Sequence, residues 1–198
     1  MVMAAGRQIA VQAPWPGLLP DGGLRRGSTV VVSGDVGFGV LSVVWSLMAG
    51  PTQRGHWTAL VGIDDPGVVA MVDHGVSLST TLFVPRPRDA WAEVTADLLG
   101  GVDLVVVRPP SRPSHGVARR LVAKAKERRA VLVVVSEPRA PWPVPADVTL
   151  SVTAAVWQTT TQLRARELVV RLEGRGSARR EGEVSLWVPT PSGHVAVA

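Results

Sequence analysis

From Gly27 to about Val152, short runs rich in Val and Leu alternate with longer segments whose apolar residues recur at helical spacing. A run that is apolar at nearly every position suits a strand buried on both faces, and strands alternating with helices predict an α/β fold with a mainly parallel sheet flanked by helices. The predicted strands are Thr29 to Ser33, Thr58 to Ile63, Thr81 to Val84, Asp103 to Val107 and Ala130 to Val135. Between them, helices are predicted at about Val40 to Ala49, Pro66 to His74, Pro87 to Leu99 and Ser114 to Arg129. In the third helix, Trp91, Val94 and Leu98 fall on one apolar stripe that should pack on the sheet. In the fourth, Val117, Leu121 and Ala125 form the inward row, while Arg120, Lys124 and Arg128 stack at i, i+4 and i+8 as an outward cationic row.

After Ser136 the pattern changes. EPRAPWPVPAD holds four prolines, which block helix and sheet alike and predict a stiff extended loop. Strands follow at Asp147 to Trp157, Leu163 to Leu172 and Glu183 to Val188, so the C-terminal part should be β-rich. The last two are joined as a hairpin with a basic tip carrying Arg175, Arg179 and Arg180. The chain therefore divides into an N-terminal arm (1–22), a core (23–157) and a C-terminal β-hairpin and tail (158–198), with both ends loosely ordered.

The first predicted strand, TVVVS, runs into GDVGFGVLS and then a helix. A strand, a glycine-rich turn and a helix N-terminus make the architecture that cradles phosphates with backbone N–H groups. A working phosphate loop reads GxxxxGK[ST], because the lysine reaches the β- and γ-phosphates and the hydroxyl holds magnesium. Gly34, Gly37 and Gly39 are present and the first and last have the required spacing. Val40, however, stands where the lysine belongs and Leu41 where the Ser/Thr belongs. In such enzymes the fourth strand ends in an aspartate that organises magnesium and water. Here VDLVVVRPP ends in Arg108, a cation in place of an anion, and Asp103 lies at the opposite end of the strand. Both halves of the nucleotide chemistry are degenerate, so neither ATP hydrolysis nor a bound cofactor is expected.

These residues carry a resemblance. GLLPDGGLRRGSTVVVSG resembles the entry to the RecA ATPase core, and ALVGIDDPGVVAMVDHGVSLSTTLFVPRP resembles its second strand, Asp-Pro helix start and third strand. RDAWAEVTADLLGGVDLVVVRPPS is similar to the helix and strand that follow. The resemblance covers residues 17 to about 157 and implies a RecA-like core. Within that superfamily, the missing lysine, the P-R-x-A-W-A-E helix start and the Arg-Pro step look most like the ImuA and ImuA-prime group of mutasome accessory proteins. That resemblance implies a non-catalytic SOS protein of DNA damage tolerance. Its implied partners are ImuB, a Y-family polymerase homologue, and an error-prone replicative polymerase in translesion synthesis. A SulA-like inhibitor of cell division and a diverged ATPase with an atypical loop are the alternatives.

Charge and composition refine the picture of partners. The formal net charge is +5, and Lys124 and Lys126 are the only lysines. A permanent, planar arginine charge suits phosphate or carboxylate, so DNA and acidic proteins both fit, although an Arg/Ala/Val/Gly-rich composition is also what a high-GC genome writes by default. By resemblance, DNA contact would fall on the loops after the fourth and fifth strands, which carry Arg108, Arg112, Arg139 and Trp142. The arm segment APWPGLLP suggests that Trp15, Leu18 and Leu19 dock on a partner or a second copy, so self-association is a further expectation. Asp64 and Asp65 in D-D-P-G read as a helix N-cap. His56, His74, His115 and His194 lack metal-ligand spacing, so no metal is expected, and His74 suits a helix C-terminus. With no cysteine, no signal-peptide-like apolar run and no membrane-spanning stretch, the expected location is the cytoplasm.

Overall fold

The computed structural model describes residues 6–159, 163–174, 181–188 and 196–197. A short strand β1 (Gln8–Ile9), a single helical turn α1 (Trp15–Leu18) and strand β2 (Leu24–Arg25) precede the core. The core then runs β3 (Thr29–Gly34), α2 (Val40–Gln53), β4 (Thr58–Val61), α3 (Val68–Asp73), β5 (Thr81–Val84), α4 (Trp91–Leu98), β6 (Leu104–Val107), α5 (His115–Arg128) and β7 (Val131–Ser136). Long strands β8 (Val148–Thr159) and β9 (Leu163–Gly174) follow, then β10 (Glu181–Trp187) and β11 (Ala196–Val197).

Among the described residues, nine strands form one sheet in the order β11-β10-β9-β8-β3-β7-β6-β4-β5. The six from β8 to β5 in that order are mutually parallel. The pairs β8–β9, β9–β10 and β10–β11 are antiparallel. The mixed α/β architecture, parallel core and β-rich C-terminal part thus follow the sequence pattern.

The apolar runs are explained by burial on both faces. Side chains alternate across a strand, so Val30, Val32, Val106, Val133 and Val135 enter one core with α2, while Val31, Val105, Val107, Leu132 and Val134 enter the other with α4 and α5. Helix α5 opens on Ser114, whose Oγ accepts from Val117 N at 3.3 Å, and its inner row is Ala118, Leu121 and Ala125, with Val117 only partly buried. Helix α4 buries Trp91, Ala92, Thr95 and the adjacent Leu99. The predicted stripe members Val94 and Leu98 flank that row, because its contact with the sheet is centred one position away.

The N-terminal arm departs most from expectation. Instead of a loosely ordered segment offered to a partner, it closes one face of its own core. Trp15 is fully buried and its indole N–H donates to Ser46 Oγ on α2 at 2.9 Å, Leu19 is buried, and Leu18 is partly buried against the same cluster. An apolar arm beside an uncovered helix face gains more by folding back than by waiting for a second chain. The Asp64/Asp65 cap is also corrected. The N-cap of α3 is Gly67, in the left-handed region, while Asp65 accepts from Gly67 N and Asp64 pairs with Arg86 at 3.0 Å. His74 does end α3, with Nδ1 2.7 Å from Ala70 O. The hairpin-tip residues Arg175, Arg179 and Arg180 lie outside the described residues.

Candidate functional site

The glycine loop joins the C-terminal end of β3 to the N-terminus of α2. Gly37 and Gly39 both sit at positive φ (88° and 86°), where only glycine is comfortable, and Gly39 is the N-cap of α2. Among the described residues no side chain caps that helix. Val40 turns inward: it is 7% exposed and lies so close to Gly34 that a Cβ there would come within 2.8 Å of its Cγ2. Leu41 packs at the edge of the same core.

A cation enters the loop from a distant part of the chain. Arg166, on β9, is 8% exposed and extends its guanidinium over the Cα of Gly39, leaving no room for a Cβ. One terminal nitrogen donates to Gly37 O at 3.3 Å and the other to Ser42 Oγ at 3.0 Å. The guanidinium also stacks 4.9 Å from the ring centroid of Trp157 on β8, a cation–π contact. Burial pushes the Arg166 pKa below the usual arginine value. A guanidinium against the positive end of a helix is electrostatically uphill, and the contacts to Gly37 O, Ser42 and Trp157 are what offset that cost.

Beside the loop, across the C-terminal ends of β4, β6 and β7, lies a cavity of about 450 Å³. Carboxyl ends of parallel strands are where open α/β sheets place their ligands. Gly62 builds the floor: its φ is +74°, it donates from N to Val84 O, and its Cα lies hard against the Arg108 carbonyl, so no larger residue fits. Arg86, Arg88 and Arg108 line the cavity together with Asp64, Glu137, Trp142 and a wall of prolines. Trp142, from the Pro-rich loop, is 8% exposed, so it is a wall of the cavity and not the projecting contact its sequence suggested; flanking prolines turn its ring inward onto the α4/α5 core.

Other predicted residues stand apart. Arg112 and Arg139 are exposed on their loops. Arg120 is exposed on α5, and on the same helix Lys124 and Arg128 flank Glu127 at 3.8 and 3.3 Å. The outward cationic row therefore exists but is locally compensated. Trp15, Leu18 and Leu19 serve the core. The structure thus brings Arg108 and Trp142 together and leaves the rest dispersed. Asp103, at the opposite end of β6, is held by Arg26 at 2.8 Å and His56 at 3.3 Å.

Arg166, Trp157, Arg86 and Arg88 escaped the sequence reading. For Arg166 a signal existed: positions 166, 168, 170 and 172 share one face of β9, and there Leu168, Val170 and Leu172 are buried. An arginine in an otherwise apolar inward row marks a buried, partnered cation.

Comparison with known proteins gives the family. The chain is 33% identical over 124 residues to the uncharacterized protein Rv3395c of Mycobacterium tuberculosis (strain ATCC 25618 / H37Rv), an alignment covering 58% of this chain and 61% of that protein. The match therefore spans about three fifths of the relative's length. Residues 17–144, which carry the glycine loop, Arg108 and Trp142, match the MT3502 N-terminal domain, and with well over half of its length inside that match the chain belongs to the MT3502 N-terminal domain family.

Proposed function

We propose that this chain is a RecA-like accessory protein without ATPase chemistry, acting in the cytoplasm as an adaptor of the translesion-synthesis mutasome. The observation that carries the non-catalytic reading is the seat of Arg166 on the glycine loop. With Val40 tucked against Gly34 and a guanidinium bonded to Gly37 and Ser42, the cradle is filled from within. Arg108, at the end of β6, supplies no ligand for magnesium.

The RecA-like assignment draws support from topology. The strand bearing the glycine loop (β3) is separated from the strand ending in Arg108 (β6) by one inserted parallel strand (β7), and on its other side leads into the antiparallel β8–β9–β10 extension. Its partners, an ImuB-type Y-family homologue and an error-prone replicative polymerase, rest on the sequence resemblance.

Two measurements test this reading. A ligand at 100 times its dissociation constant adds about 2.7 kcal/mol of stability, so the expected result with millimolar Mg-ATP is an unchanged melting temperature; a clear rise would overturn the non-catalytic reading. Co-purification with the tagged native protein after DNA damage should recover polymerase subunits. Recovery of the division-ring protein in their place would favour a SulA-like inhibitor.

A further inference from the structure

The cavity at the ends of β4, β6 and β7 holds two hydrogen-bond donors with no acceptor. Arg108 Nε and Trp142 Nε1 are buried from solvent and neither has a partner among the described residues. Both groups are donors only, and buried donors are normally paired. Two of them on the walls of one cavity describe the chemistry of what belongs inside: an acceptor-only group. Among the described residues no carboxylate pairs with Arg108: Asp64 is engaged by Arg86, and Glu137, although on the same lining, forms no ion pair with it. Arg88, on the cavity lining, adopts a left-handed backbone (φ 50°) that non-glycine residues rarely adopt and that recurs at binding sites.

We infer that this cavity is a receptor for one carboxylate, supplied by an acidic side chain of an extended segment of a protein partner. The lining carries three arginines and two carboxylates, Asp64 and Glu137, so one further negative charge brings it to balance. A phosphodiester chain fits poorly: the two acidic walls repel repeated charge, and Trp142, 8% exposed, offers little ring surface for a base to stack on. The size suits a side chain with its flanking backbone. Proline walls such as Pro109 and Pro110 present apolar surface without competing N–H groups. The inference rests on the adaptor reading only for the source of the carboxylate.

The test uses the full chain, with the indole N–H resonance of Trp142 identified through Trp142→Phe, and two blocked tripeptides, acetyl-Gly-Glu-Gly-amide and its Gln counterpart. The Glu peptide should shift that resonance saturably, in the millimolar range, and bind at least about tenfold more tightly than the Gln peptide. Arg108→Met should abolish the shift. Arg88→Gln, at an exposed position, should weaken binding severalfold and covers the case in which the Arg108 variant does not fold. Equal binding of the two peptides, or no saturable shift by about 50 mM, would overturn the inference. So would a tighter response to free glutarate, which would make the ligand a small acid, or displacement of the peptide by oligothymidylate. These readouts are independent of co-purification: polymerase recovery without peptide binding removes the pocket alone, and peptide binding without polymerase recovery removes the mutasome role alone.

Discussion

Arg166 and Ser42 lie 124 positions apart and meet at 3.0 Å, which ties β9 to the first turn of α2. Replacing Arg166 by Met keeps much of the apolar stem while deleting the contacts to Ser42, Gly37 and Trp157. Gly37 is exposed and Ser42 partly so, so their freed acceptors can turn to water. The expected loss is about 1–2 kcal/mol, read from urea unfolding, with faster amide exchange confined to the glycine loop and the start of β9. An unchanged midpoint would show that the guanidinium merely rests there.

Restoring the lysine of a phosphate loop should fail. In Val40→Lys an ammonium enters a position 7% exposed, packed on Gly34 and close to a guanidinium. We expect a loss of about 2 kcal/mol or more and no gain in Mg-ATP affinity by calorimetry. Tight nucleotide binding by this single variant would show that the cradle is intact beneath its seal.

Trp15 is the anchor of the arm. Trp15→Ala should cost about 3–5 kcal/mol, and Ser46→Ala about 1 kcal/mol or somewhat more, because it strands a buried indole N–H. Deleting residues 1–20 should therefore lower the unfolding midpoint of the isolated protein. A truncated chain as stable as the intact one would return the arm to a partner-docking role.

The fold was legible where the physics is local. Apolar runs such as Val131 to Val135 announce strands buried on both faces, and Ser114 announces the start of α5. What escaped depends on distant parts meeting. APWPGLLP is equally apolar whether it folds back or docks elsewhere, and only the uncovered face of α2 decides it. The glycine loop showed what it lacked at Val40 and Leu41, but not that Arg166 arrives from β9. The cavity was half visible, in Arg108 and Trp142, because its other arginines come from the segment after β5, which no motif connects to them.

Asp103 makes stability sensitive to acid. Burial raises its pKa, but the hydrogen bonds from Arg26 and His56 outweigh burial and hold it below the model-compound value of 3.8. A depressed carboxylate stabilises above its unfolded pKa, and that share is lost as pH falls through the lower folded value. Asp103→Asn should lower the unfolding midpoint at neutral pH and flatten its decline below about pH 4. His74 acts in the same direction at higher pH. Burial lowers its pKa from 6.5, so its share is present above 6.5 and is lost as pH falls from there through the folded value. A variant with an unchanged acid limb would remove Asp103 from this account.

The path of Arg166 also sets a timetable. A ribosome delivers the glycine loop more than a hundred residues before Arg166, but β7 and β8, the two strands that flank β3, also come late, so the loop is framed only shortly before β9 is made. Strand β9 pairs with β8 and in the same step lays Arg166 over that opening. The strands that frame the loop and the guanidinium that covers it are thus neighbours in the order of synthesis, and the opening closes almost as soon as it is formed.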